Sequence, residues 1–350
     1  MPEFVALPAA TTTLKAALLA WYDRHKRELP WRGSSTKRVD PYHVMVSELM
    51  LQQTTVKTVK TRFTGFIERF PTVAILASAP EDDVLHAWQG LGYYRRARAL
   101  RNAARVIVDR HDGEVPASVE ALQALPGIGN YTARAIAAMA FDIPVIPVDG
   151  NVRRVLTRLA AVDLPAARLA RPVERLADAL ASDLRPGDSA QALIELGALC
   201  CRPRSPECGT CPWKDHCIAH VRGLAGLLPR PPIRKDKRHL FATAWLFRRD
   251  DGAILLRRRP KDGLLGGLIE LPTSPWIEEN TMAGPGWGGD LALVPGTVTH
   301  VFTHIRLELH LMRGHCEVAA DGFFHSADHL DELALPTLTK KLLRHGGIDC

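Results

Sequence analysis

The stretch LPGIGNYTARAIAAMAF, residues 125–141, decides how the chain is read. A short helical pattern from Ser118 to Ala124 runs into Pro126–Gly127–Ile128–Gly129, and a longer one follows to Phe141. The spacing predicts a helix–hairpin–helix over residues 118–141. Gly127 and Gly129 permit positive φ and let another backbone come close. The amides of such a turn, beside a helix N-terminus, suit a nucleic-acid phosphate without reading base sequence. Glycine is common between helices, so the signal is the whole L-P-G-x-G with Thr132–Ala133 behind it.

Outward from the hairpin, helical stripes recur. Leu14, Leu18, Leu19 and Trp21–Tyr22 form one, and Val44, Val46 and Leu49–Leu51 another. Ala97–Val108 and Leu193–Leu199 continue the pattern, with Pro41, Pro71, Pro80, Pro116, Pro144 and Pro147 in the connectors. Residues 223–238, GLAGLLPRPPIRKDKR, have linker composition. The period then changes. Phe241–Phe247 and Ala253–Leu256 flank a turn at Asp250–Gly252, and Thr297–Val301 and Ile305–Leu311 alternate as strands do; residues 282–290 are expected to be loop. The expected organisation is an all-helical domain at 1–222, a linker at 223–238 and a mixed α/β domain at 239–350.

The chain's 350 residues favour two cores over one. With 46% apolar and 24% charged residues, it is neither disordered nor fibrous in composition. No apolar stretch reaches membrane-spanning length, and MPEFVALPAATTT lacks a basic and then apolar leader, so a cytoplasmic protein is expected. Residues 1–222 carry 29 Lys and Arg against 23 Asp and Glu, so most of the net +7 charge sits in the helical part. That excess is compatible with a polyanion partner without requiring one.

Five of seven cysteines fall between 200 and 217. Clustered, odd in number and without a leader, they point to a metal site and not to a disulfide framework. Cys201, Cys208, Cys211 and Cys217 follow C-x6-C-x2-C-x5-C; either of the adjacent Cys200 and Cys201 could reach, but only Cys201 gives this spacing. Four thiolates can hold zinc or a four-iron cluster, and a single C-x2-C between unequal arms favours iron–sulfur. Arg202, Arg204, Lys214 and His216 in the same loop are suited to face a phosphate backbone. Asp149 immediately precedes a helix-like run. Alone it is as readily an N-cap as a functional carboxylate.

Together these residues resemble the helix–hairpin–helix DNA glycosylases with an iron–sulfur loop, the endonuclease III superfamily, and within it the MutY-type adenine-specific branch. The resemblance runs from LPWR at 29–32 to FTH at 302–304. It implies a helix–hairpin–helix glycosylase domain with a loop at 201–217 holding one 4Fe-4S cluster, followed by a Nudix-like domain that recognises the lesion. VSELMLQQT, residues 46–54, resembles the segment carrying the family's catalytic glutamate, here Glu48. Asp149 is then the carboxylate that stabilises the sugar cation. Tyr131 stands where bifunctional relatives have a Schiff-base lysine, which implies a monofunctional enzyme. GLGYYRRARAL, residues 90–100, resembles the wedge region; Tyr93 would stack beside the lesion and Gln53 would fill the vacated stack.

The same resemblance implies an adenine pocket walled by Leu29, Trp31 and Arg32, with Gln191 on the base edge. Gly127 and Gly129 would bind the backbone. Phe302, Thr303 and His304 would form the 8-oxoguanine-recognition loop, Thr303 replacing the usual serine. LLRRRPKDGLLGGLIELP, residues 255–272, fits the Nudix-like domain, although Ile269 replaces a common tryptophan and no glutamate-rich magnesium helix follows. The implied partner is double-stranded DNA with an adenine:8-oxoguanine or adenine:guanine mispair, bound by a monomer with no membrane association.

Overall fold

The computed structural model describes residues 6–33, 39–231, 236–285, 290–319 and 321–349. Linker residues 232–235, loop residues 286–289 and Cys350 lie outside the described residues. The chain divides into two compact units: Met1–Ser78 with Ala99–Ile233, and Ala79–Arg98 with Arg234–Cys350.

The first unit is helical. In chain order it begins with α1 (Thr11–His25), α2 (Pro41–Leu51), α3 (Val56–Arg69) and α4 (Val73–Ser78). Asp40 caps α2, its carboxylate accepting from Tyr42 N at 2.8 Å, and Pro41 supplies a preset first-turn φ. Every residue of α2 from Val44 to Met50 is buried. A helix apolar on nearly all sides belongs in the interior, and its one acid, Glu48, goes in with it. After α5 (Glu81–Ala87), which belongs to the second unit, α6 (Arg95–Arg110) returns the chain to the first.

The hairpin forms between α7 (Val119–Gln123) and α8 (Asn130–Phe141). Ser118 caps α7 through Ala121 N at 3.1 Å. Gly127 has φ +77°, and a Cβ there would lie 2.4 Å from Ala99 Cβ. Gly129 departs from the sequence expectation: its φ is −88° and the space beside it is open. Only the first glycine is required by backbone conformation and packing. Next come α9 (Gly150–Leu159), α10 (Ala170–Leu180) and α11 (Pro186–Glu195), then a π-helical turn at Leu196–Cys200 and α12 (Ile218–Val221). Leu14 and Leu18 of α1, Val155 and Leu159 of α9, and Leu193 and Leu196 share one core with Trp213. The Trp213 indole closes the cysteine loop on α1, donating to Leu14 O at 2.8 Å.

The second unit is built on a mixed sheet of β1 (Arg238–Arg248), β2 (Ile254–Arg258), β3 (Ile269–Glu270), β4 (Leu291–Val301), β5 (Ile305–His315) and β6 (Phe323–His325). The strand order is β3-β2-β1-β5-β4, with β6 on β2. The expected hairpin is present, β1 and β2 pairing antiparallel across the 250–252 turn, and the two expected strands β4 and β5 pair antiparallel with each other. β1 and β5 run parallel over eleven residue pairs, Arg238↔Ile305 to Arg248↔His315. The apolar face formed by Leu240, Ala242 and Leu246 with Leu307, Leu309 and Leu311 is covered by Leu338, Leu342 and Leu343 of α13 (Thr337–His345). In this unit Gln89 Nε2 donates to Leu333 O at 2.6 Å and Arg98 Nη1 to Gly266 O at 2.7 Å, which is how Ala79–Arg98 joins it. No described helix is long and apolar enough to cross a membrane.

Candidate active site

A cavity of about 790 Å³ opens in the first unit, against the hairpin. Its lining brings together Glu48, Asp149, Tyr131 and Gln191, the wall residues Leu29, Trp31 and Arg32, and Gln53, Gly127 and Gly129. Each of these residues was proposed from sequence.

Glu48 is 4% exposed, and its Oε2 has no hydrogen-bond partner among the described residues. Burial pushes its carboxyl up to about 7. A hydrogen bond from the Tyr131 hydroxyl works against that shift, the Asp149 charge adds to it, and Arg32 opposes it more weakly. Tyr131 is itself held well above the ordinary phenol range, first by burial and then by the charges of Glu48 and Asp149.

Asp149 is the N-cap of α9, accepting from Val152 N at 2.7 Å, while Asn151 Nδ2 donates to its other oxygen at 2.8 Å. The capping and functional readings of this residue are therefore compatible: the cap fixes the carboxylate at the cavity wall. Burial raises its pKa, and the donors from Val152 and Asn151 pull it back. Arg154 extends the arrangement, donating to Asn151 Oδ1 at 2.8 Å and to Cys201 O at 2.7 Å.

Gln191 is 8% exposed, and its Oε1 is also without a partner among the described residues. A buried amide oxygen left unpaired costs about 1–3 kcal/mol, so it stands ready for a donor on a ligand. Trp31 stacks edge-on against Phe63, ring centroids 5.3 Å apart, which fixes the apolar wall. Gln53 takes a left-handed φ of +57° at the end of α2, a conformation that non-glycine residues adopt at a cost.

The sequence reading missed what holds that wall. Glu195 is fully buried and accepts from Arg27 Nε at 2.8 Å and Arg32 Nη2 at 2.6 Å. Its signal was present but faint: Glu195 lies one turn beyond Gln191, on the same face of α11.

The other expected contacts lie in the second unit. Phe302, Thr303 and His304 form the turn joining β4 to β5, closed by Phe302 N on Ile305 O at 2.8 Å. Phe302 stacks on Trp276 at 5.7 Å. Tyr93, 49% exposed with φ +47°, shares a 2.9 Å hydrogen bond with Thr303 Oγ1.

Cys201, Cys208, Cys211 and Cys217 line one cavity with Arg158 and Trp213. Arg158 is 2% exposed and donates to Cys201 Sγ at 3.3 Å, Arg202 O at 2.8 Å and Leu228 O at 2.7 Å. Four sulfurs around one small cavity, with a buried cation to offset their charge, suit a thiolate-bound iron–sulfur cluster. Arg204 and Lys214 are exposed, whereas Arg202 is paired with Glu207 at 2.6 Å.

Residues 46–177 match the family described as HhH-GPD superfamily base excision DNA repair protein. Residues 201–217 match the iron–sulfur binding domain of endonuclease III, beginning and ending on Cys201 and Cys217, and 243–345 match a NUDIX domain. The adenine DNA glycosylase of Homo sapiens is 36% identical over 361 residues, covering 85% of this chain and 66% of that protein. The chain thus spans about two thirds of the human relative's length. The adenine DNA glycosylase of Mycolicibacterium smegmatis is 46% identical over 216 residues, 61% of this chain and 72% of that one. A solved thermostable thymine-DNA glycosylase superposes with a TM-score of 0.55 at 26% identity, over 61% of this chain and 97% of its own.

Proposed function

The chain belongs to the adenine DNA glycosylases of the helix–hairpin–helix base-excision-repair superfamily, and on that premise we propose that it hydrolyses the N-glycosidic bond of adenine mispaired with 8-oxoguanine or guanine in double-stranded DNA. It acts as a monomer and leaves an abasic site without cutting the strand. The observation that carries the reading is Glu48: a buried carboxyl lifted to about 7, with one oxygen unpartnered, in a cavity it shares with a second, capped carboxylate.

Adenine leaves poorly as an anion. A neutral Glu48 can give its proton to a ring nitrogen of the extruded base, N7 in this reading, so that the base departs neutral. As the bond breaks, the sugar becomes oxocarbenium-like. The Asp149 carboxylate, fixed by Val152 N and Asn151 Nδ2, stabilises that charge. Glu48, now ionised, orients the attacking water. Two carboxyls whose environments separate their roles is the logic of glycoside hydrolysis.

Tyr131 holds Glu48 by its hydroxyl. With its pKa far above neutrality, it provides no nucleophile where lyase relatives have an amine. Gln191 Oε1, buried without a partner among the described residues, would accept from the exocyclic amine of adenine, in the cavity it shares with Leu29, Trp31 and Arg32. Extruding the base costs a few kcal/mol, offset by Gln53 at the vacated stack, by Tyr93 beside the lesion and by phosphate contacts at Gly127 and Gly129. Phe302, Thr303 and His304 read the opposing 8-oxoguanine.

Cys201, Cys208, Cys211 and Cys217 would hold the 4Fe-4S cluster, which would cross-link the loop that carries the exposed Arg204 and Lys214 for contact with the DNA backbone. The test is single-turnover excision on a labelled duplex with adenine opposite 8-oxoguanine, divided with and without alkali. Breaks that appear only after alkali are expected. Breaks without alkali would make the enzyme a lyase, and binding without excision would reduce it to a damage sensor.

A further inference from the structure

We propose that Cys200 is a fifth thiol of the iron–sulfur loop, positioned to replace Cys211 as a cluster ligand when Cys211 cannot bind. The proposal rests on the four-cysteine ligand set given above, to which Cys200 does not belong: it lies just outside the matched segment 201–217.

Adjacent residues on a regular helix point about 100° apart, and a second cysteine would ordinarily be turned away from the first. Here the helix loosens into a π turn at Leu196–Cys200, closed by Cys201 N on Leu196 O at 2.7 Å. Single π turns are uncommon and concentrate at functional sites. In consequence Cys200 and Cys201 line the same cavity as Cys208, Cys211 and Cys217. Cys200 is 4% exposed, and its sulfur lies within hydrogen-bonding distance of the Cys211 thiol and 3.3 Å from Glu207 O. Among the four ligands, the one it hydrogen-bonds is Cys211.

The bland account is a small apolar residue filling the core, which a free cysteine does well. That account needs no sulfur at this position, and the replacement account does. A four-iron cluster takes one thiolate per iron. With Cys211 gone, one iron has an open position beside the Cys200 sulfur. The Cys200 S–H loses its proton to solvent and its sulfur donates an electron pair to that iron. One iron–sulfur bond takes the place of another, and no electron is transferred.

The experiment compares Cys211→Ala with the double variant Cys200→Ala/Cys211→Ala, alongside Cys200→Ala and Cys217→Ala, all in the full chain. Iron and sulfide content and visible absorption are read after anaerobic reconstitution. Cys200→Ala and Cys211→Ala are expected to hold about four irons per chain and the double variant less than about one. Equal iron in Cys211→Ala and the double variant overturns the proposal, whether both are loaded or both are empty or unfolded. Loss of iron in Cys200→Ala alone also overturns it, by making Cys200 an ordinary ligand. Full iron in Cys217→Ala would instead overturn the four-cysteine reading on which the proposal stands.

Discussion

The Tyr93 hydroxyl and Thr303 Oγ1, 210 positions apart in the chain, lie 2.9 Å from one another. Tyr93 sits in a segment that sequence position assigns to the helical domain, and Thr303 at the tip of the β4–β5 turn. Their bond orders two side chains that the functional reading places on the 8-oxoguanine side of the mispair. The added methyl of threonine does not prevent it.

That pairing predicts the effect of removing either hydroxyl. Thr303→Val and Tyr93→Phe should each lower the preference for 8-oxoguanine over guanine opposite adenine by about 2–10-fold, the worth of one hydrogen bond. The double variant should be little worse than either single one. Single-turnover rates on the two duplexes check this. Fully additive losses would show that the two side chains act separately.

Glu48 predicts a pH dependence of stability. Its folded pKa of about 7 lies above the ordinary glutamate value of 4.5, so between these values the folded state holds the extra proton. Stability from this group is present below the unfolded pKa and is lost as pH rises through about 7. Glu48→Gln should match the parent protein near pH 4.5 and exceed it by roughly 3 kcal/mol above pH 8. Urea midpoints at several pH values measure the difference, and parallel curves would remove the burial argument.

The hairpin glycines should separate cleanly. Gly127→Ala forces a Cβ into Ala99 at a positive φ and should cost about 1–3 kcal/mol of stability. Gly129→Ala meets open space at φ −88° and should unfold with the parent protein. Thermal melting of both variants reads the contrast, and equal melting temperatures would contradict it.

Local features were the legible ones. The hairpin and the C-x6-C-x2-C-x5-C loop each lie in a single stretch, where spacing alone fixes which residues meet. Glu48 sits in PYHVMVSELML, a helix so apolar that its one acid had to be desolvated, yet no periodicity said that it would face a cavity. The Arg27–Glu195–Arg32 group was not legible, because its partners are more than 160 residues apart. The grouping of Ala79–Arg98 with the second unit was hidden for the same reason: Gln89 and Arg98 find their acceptors at Leu333 and Gly266. Gly129 shows the opposite limit. A glycine motif was visible, but which glycine the backbone required depended on the neighbouring Ala99.

The central claim is that Glu48 delivers the proton that releases adenine. Its most direct test is single-turnover excision by Glu48→Gln on a duplex with adenine opposite 8-oxoguanine, with binding to the same duplex measured in parallel. Glutamine keeps the shape and removes the acid. The account predicts unchanged binding and a loss of about 10²–10⁴-fold or more in the excision rate. Excision within tenfold of the parent rate would contradict it.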